Sequence, residues 1–291
     1  MPTLTSEPEA LPDVETIGAT LARAIAGWIR DAHRGRRRVL STNQPEHLHE
    51  LRVALRRLRA ALRIGFDALD LDDSIRRALG QTSRALGELR DLDVAIAEIE
   101  RRPPGGSPVP PPLSTVVSRL RSRRRTVRAR VRRALRSGSV RAALTRLRHW
   151  ARAPQLHPFG YRSLADVRPA LLAPVVEAVD ATPAWRAARP TADQLHELRR
   201  RARAARYALE LLGFDRPSDV ETLESMAELQ DGLGAVRDLD LTRELASDAL
   251  EQDLARRAPE FARRLSARSR AAMTALNRQF HRPNGHHRSL A

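Results

Sequence analysis

The 291-residue sequence predicts an all-α protein, built as a tandem duplication of a roughly four-helix unit. Three observations carry this. Apolar residues recur at steps of three and four nearly everywhere, which is the helical period, and runs alternating at two, as strands do, are scarce. One helix opening is written twice, as "LHELRVALRRLRAAL" at 48–62 and "LHELRRRARAARYAL" at 195–209. At the same offset of 147 residues, "LGELRDLDV" (86–94) falls on "LGAVRDLDL" (233–241) without a gap. Ile17, Ile25 and Ile29 then fall on Leu164, Leu172 and Val176. Two motifs at one ungapped offset mark a duplication.

The elements follow in order. A first helix is predicted from Asp13 to Arg34, with Val14, Ile17, Leu21, Ile25 and Trp28 on one face. "STNQPE" (41–46) reads as a turn, and a second helix runs from it to Leu69. A third spans Asp72 to Glu100. "RRPPGGSPVPPP" (101–112) is a loop, because prolines at that density deny the backbone its helical hydrogen bonds. A basic helix runs from Leu113 to Ser137 and resumes after Gly138 toward Trp150. "ARAPQLHPFGYRS" (151–163) separates the halves, giving a first repeat at 13–150 and a second at 164–281. The second repeat places helices at 164–180, 191–213, 217–253 and 258–280, and residues 1–12 and 282–291 read as flexible tails.

Composition narrows the partner. All 52 basic residues are arginine, and against 35 acidic residues they leave a net charge of +17. An excess of that size points to a polyanion: nucleic acid, a membrane surface or a phosphate polymer. Cysteine is absent, which removes disulfides and thiolate metal sites and fits a reducing, cytoplasmic setting. The Pro-rich acidic start is unlike a signal peptide, and no apolar run is long enough to span a bilayer.

Within the repeated helix, His49, Arg52, Arg56, Arg59 and Arg63 step by three, four, three and four, so they share one stripe. Leu48, Leu51, Leu55, Leu58 and Leu62 make a second stripe about 100° away. His196, Arg199, Arg203 and Arg206 repeat the ladder beside Leu195, Leu198 and Leu209. The plain alternative is a solvated helix face. Against it, the ladder flanks the apolar stripe rather than opposing it, carries few carboxylates and occurs twice. Like charges held in a row, partly out of water, cost free energy until an anion arrives.

Arg90 and Arg237 open the two "RDLD" motifs. Their aspartates read either as surface ion pairs or as carboxylates that aim neighbouring arginines through forked hydrogen bonds. Arg121, Arg125, Arg128 and Arg132 form a further stripe, for which a solvated face is equally compatible. His47 and His49 lie on different sides of their helix, and His196 has no histidine nearby, so no metal site is expected. A histidine at the end of an arginine ladder suits hydrogen bonding to phosphate instead. No phosphate-binding glycine loop, nucleophile elbow or zinc-protease motif is present, which favours a binder over an enzyme. Aromatics make up 3% of the chain, too few for the stacking platforms of single-strand nucleic-acid binders. Phe66, Phe214 and Trp28 read as core. A ligand with phosphates and no bases suits such ladders.

The His-x-x-Arg-x-x-x-Arg-x-x-Arg helix, followed by "LGELRDLD" and "LGAVRDLD", closely resembles the CHAD family, the conserved-histidine α-helical domain, over residues 13–281. The resemblance implies two four-helix bundles related by a pseudo-twofold axis, with basic surfaces facing a central cavity. It implies inorganic polyphosphate as the ligand and, in bacteria, association with polyphosphate granules. The implied contacts are His49, Arg52, Arg56, Arg59, Arg63, Arg90, His196, Arg199, Arg203, Arg206 and Arg237. Where family members often carry Lys-x-x-Arg-Tyr, this chain has Arg203 and Arg206-Tyr207, which keeps the charge; Glu210 stands where the ladder's last arginine is expected. Some members carry a fused triphosphate-tunnel enzyme domain, for which this length leaves no room. The expectation is therefore a non-catalytic, cofactor-free polyphosphate binder. Nucleic acid is the competing polyanion, and a histidine-dependent phosphohydrolase is the remaining alternative.

Overall fold

Leu48, Leu51, Leu55, Leu58 and Leu62 are each at most 3% exposed, so one side of their helix is committed to the interior. In the second copy, Ala202 and Ala205 replace two of these leucines, and they are buried with Leu198 and Leu209. The computed structural model describes residues 15–101, 111–187, 190–213 and 217–280. The predicted tails, Val14, Phe214 and most of the 101–112 loop lie outside these residues.

The described residues are all-α. Their helices are α1 (Ile17–Ser41), α2 (Pro45–Ile64), α3 (Asp73–Glu100), α4 (Pro111–Arg136), α5 (Gly138–Trp150), α6 (Leu164–Asp180), α7 (Ala192–Leu212), α8 (Pro217–Leu250), α9 (Leu254–Arg257) and α10 (Pro259–Phe280). None is long and apolar enough to cross a membrane. Most termini follow the sequence signals. Asp72 caps α3 by accepting from the Ser74 N–H, and Thr191 with Gln194 closes a capping box on α7.

Several boundaries differ from expectation: α1 begins at Ile17 rather than Asp13, and α2 ends at Ile64 rather than Leu69, where the Gly65 N–H caps it on Ala61 O. α1 continues seven residues past Arg34, through Gly35. Gly35 is a contact point: a Cβ there would stand 3.0 Å from Leu51 Cβ, so its bareness lets α1 and α2 approach. α8 ends at Leu250 rather than 253, because Glu251 takes a positive φ of 55° and Asp253 then caps the short α9. The separating segment 151–163 is itself ordered into the first half. Asp70 N–H bonds to Gln155 O at 3.2 Å, His157 N–H to Ala68 O at 3.0 Å, and Ile17 N–H to Arg162 O at 3.1 Å.

The halves meet through helices the repeat makes equivalent: α2 lies against α7 and α3 against α8. The larger apolar core runs from Ile17 and Leu55 through Leu89 and Leu144 to Leu209, Leu239 and Leu265, so it draws on both halves. A smaller one around Val179, Leu198, Met226, Leu229 and Leu276 lies within the second half. This framework holds the ladder sides of α2 and α7 beside the RDLD segments of α3 and α8.

Candidate functional site

Where these four helices come together, cations from both halves feel one another. Arg52 of α2 is pushed down to about 10, by burial first and then by Arg56; Arg199, on the other half, adds to it. Arg203 of α7 is also pushed down to about 10, by burial and then by Arg199, Arg56 and Arg52. Arg199 is lowered by burial, which outweighs the opposing pull of Asp238. Both arginines at about 10 remain charged at neutral pH, in surroundings that disfavour the charge. Asp91 and Asp238 complete the cluster. Burial raises both carboxyls, although Arg52 and Arg237 pull Asp91 down and Arg199 and Arg90 pull Asp238 down. Each aspartate thus lies among arginines of both halves.

The glycines of the two LG-x-x-RDLD motifs each face the first ladder arginine of their own half. A Cβ on Gly87 would stand 3.2 Å from Arg52 Nη1, and one on Gly234 would stand 3.9 Å from Arg199 Nη2. Only at Gly87 is the approach too tight for a side chain to enter without moving the guanidinium. Arg56 Nε is buried with no hydrogen-bond partner among the described residues, so part of its donor capacity is unspent. Arg59 is lowered by burial and then by Arg84 and Arg63. Arg56, Arg59 and Arg63 line a cleft of 540 Å³ with Arg200 and Arg203 of the other half. His196, Arg199 and Arg237 line a second, of 870 Å³.

The sequence profile of the CHAD domain matches residues 23–247, which include both ladders and both RDLD motifs. The chain belongs to the CHAD domain family. Solved CHAD architecture agrees with it: the CHAD domain from the plant Ricinus communis superposes with a TM-score of 0.68 at 20% identity, covering 95% of this chain and 91% of that one. PptA from Streptomyces chartreusis superposes with a TM-score of 0.67 at 20% identity, covering 91% of this chain and 99% of that one. At such identity these neighbours speak for the fold alone. No curated protein sequence matches this chain.

Other sequence-selected residues of this CHAD domain sit at the margins. His49 is exposed at the head of α2; its imidazole is held below the ordinary range by partial burial, then by Arg56, Arg90 and Arg52, with Glu50 opposing. Arg206 donates to Glu210 at 2.9 Å, and the other oxygen of that carboxylate accepts from Arg57 at 2.9 Å. Arg237 pairs with Glu244 at 3.1 Å. The α4 stripe is engaged elsewhere. Arg121 pairs with Glu100 at 2.6 Å, Arg128 donates to the Thr42 carbonyl and Arg132 to the Leu40 carbonyl at 2.9 Å; Arg125 lines a separate cleft with Glu100 and Arg121.

Phe66 corrects an expectation. It is 57% exposed rather than core, with the Arg76 guanidinium 4.3 Å over its ring, and both line the ladder cleft. Arg76, Arg84 and Arg200 were not selected from the sequence, because they lie on helix turns outside the ladder's own register and only packing brings them to it. Among the described residues, no group of three or more His, Asp or Glu side chains is placed to hold a metal.

Proposed function

We propose that this CHAD protein binds inorganic polyphosphate without transforming it, in the cytoplasm and at polyphosphate granules. In this reading the two repeats are bundles related by a pseudo-twofold axis, and a phosphate chain runs through a basic central cavity between α2 and α7. The observation that carries it is the convergence of Arg52, Arg56, Arg199 and Arg203 from both repeats, with Arg52 and Arg203 driven down to about 10. A half-buried array of like charges is unfavourable alone and is relieved by a ligand that brings one negative charge per repeating unit. Guanidinium forks match phosphate oxygens, and hydrogen bonds to charged groups contribute roughly 1.5–3 kcal/mol each. The leucines behind the ladder hold it in place before binding, which lowers the ordering cost.

Nucleic acid is the second reading, supported by the exposed Phe66 at the cleft rim; Arg76 already covers that ring. The test is a titration with size-fractionated polyphosphate at low salt, comparing wild type with Arg52→Ala/Arg203→Ala, and with duplex and single-stranded DNA as competitors. The variant is expected to melt at higher temperature without ligand, since two disfavoured charges are gone, and to bind at least about tenfold more weakly. If nucleic acid raised the melting temperature and long-chain polyphosphate left it unchanged, the proposal would fall.

A further inference from the structure

A second cationic groove lies between α1 and α5, sharing no lining residue with the ladder clefts. Arg30, Arg34 and Arg37 line it from α1, and Arg148 and Arg152 from the end of α5, around a volume of 490 Å³. Ala26, Ile29 and Ala151 complete its lining. All five guanidiniums are on exposed residues. Among the described residues, only Arg34 has a carboxylate, Asp31, at 3.5 Å, the limit of a hydrogen bond. His33 also lines the groove; its Nε2 is buried with no hydrogen-bond partner among the described residues. Burial, then Arg148, Arg36 and Arg37, hold this imidazole below its ordinary range, so it is neutral and able to donate from one nitrogen.

We propose that this groove is a separate anion site that takes a short inorganic phosphate chain, held by its guanidiniums with the His33 ring in its wall. Three features select that ligand. Arg30 and Arg37 are seven residues apart, a rise of about 10 Å, so a single small anion reaches only part of the array while a chain of a few phosphates meets all of it. Forked guanidiniums match phosphate oxygens in geometry as well as charge. No Phe, Tyr or Trp lines the groove, so a base finds none of the broad rings of a stacking platform there. The site stands whether or not the ladder binds polyphosphate.

The probe is metal-free sodium tripolyphosphate, titrated by calorimetry at low salt into Arg52→Ala/Arg203→Ala, in which the ladder is weakened. One tripolyphosphate per chain is expected to remain bound there, and adding Arg148→Ala/Arg152→Ala is expected to weaken it about tenfold or more. Arg148→Ala/Arg152→Ala alone is expected to leave long-chain binding at the ladder in place, which separates failure of the groove from failure of the ladder. An independent readout in the unmodified protein is the His33 ring signal by NMR, expected to shift on titration and to stay fixed when Arg148 and Arg152 are replaced. Residual binding that ignores the α5 substitutions, or a His33 signal unmoved by saturating tripolyphosphate in the unmodified protein, overturns the proposal.

Discussion

Glu210 occupies the place that Arg63 holds in the first copy, and this one exchange of charge makes the ladders unequal. Its carboxylate is 15% exposed and accepts from Arg206 and Arg57, so one ladder cation is neutralised while the α2–α7 contact is clasped. Glu210→Gln should therefore do two opposed things. Polyphosphate affinity rises because Arg206 is released, and unfolding free energy falls by about 1 kcal/mol because two half-buried donors lose a charged acceptor. Calorimetric titration and a urea melt of the same variant check both halves of that statement. His49 gives a pH signature. Its folded pKa is depressed, so without ligand its share of stability is present above the unfolded value, near 6.5, and is lost as pH falls through the folded one. A bound polyanion favours the imidazolium, so binding takes up a proton and affinity rises as pH falls below about 6.5. Titrations at several pH values, repeated with His49→Gln, should show a flatter slope for the variant.

At the scale of the helix, the two motif glycines are informative because they occupy matching positions with different clearances. Glycine inside a helix costs roughly 0.5–1 kcal/mol relative to alanine. Gly234→Ala meets Arg199 at ordinary contact distance, so it should raise stability by about that amount and leave the polyphosphate isotherm unchanged. Gly87→Ala meets Arg52 Nη1 at 3.2 Å and must displace the guanidinium, so its isotherm should weaken. Thermal melts with and without polyphosphate separate the two effects. The element scale also shows what periodicity reads well. The leucine stripe of α2 was legible to the residue, because one buried side recurring every three or four positions is a local property of the helix. The end of α1 was not, because the helix runs on through Gly35, where Leu51 of another helix packs against it.

For the molecule as a whole, the larger core joins residues of both repeats, from Ile17 to Leu265, so the halves are not built to unfold independently. A single calorimetric transition is expected, and saturating polyphosphate should move all of it upward, by about 2.7 kcal/mol at a hundredfold excess over the dissociation constant. Two transitions, with one insensitive to ligand, would contradict both the shared core and a site made by both repeats.

The sequence by itself determined the helical class, the motifs repeated at one offset, the ladders and their leucine backing, because periodicity and an ungapped offset are properties of the chain alone. It also identified the odd position at Glu210. Only the tertiary structure decided which cations meet. The pairing of α2 with α7 and α3 with α8 sets Arg52 and Arg56 among Arg199 and Arg203, brings in Arg76, Arg84 and Arg200, and turns Arg128 and Arg132 to backbone carbonyls. The physical reason is range. A helix face follows from neighbours three and four residues away, whereas burial of a guanidinium and the fields acting on it depend on residues more than a hundred positions distant.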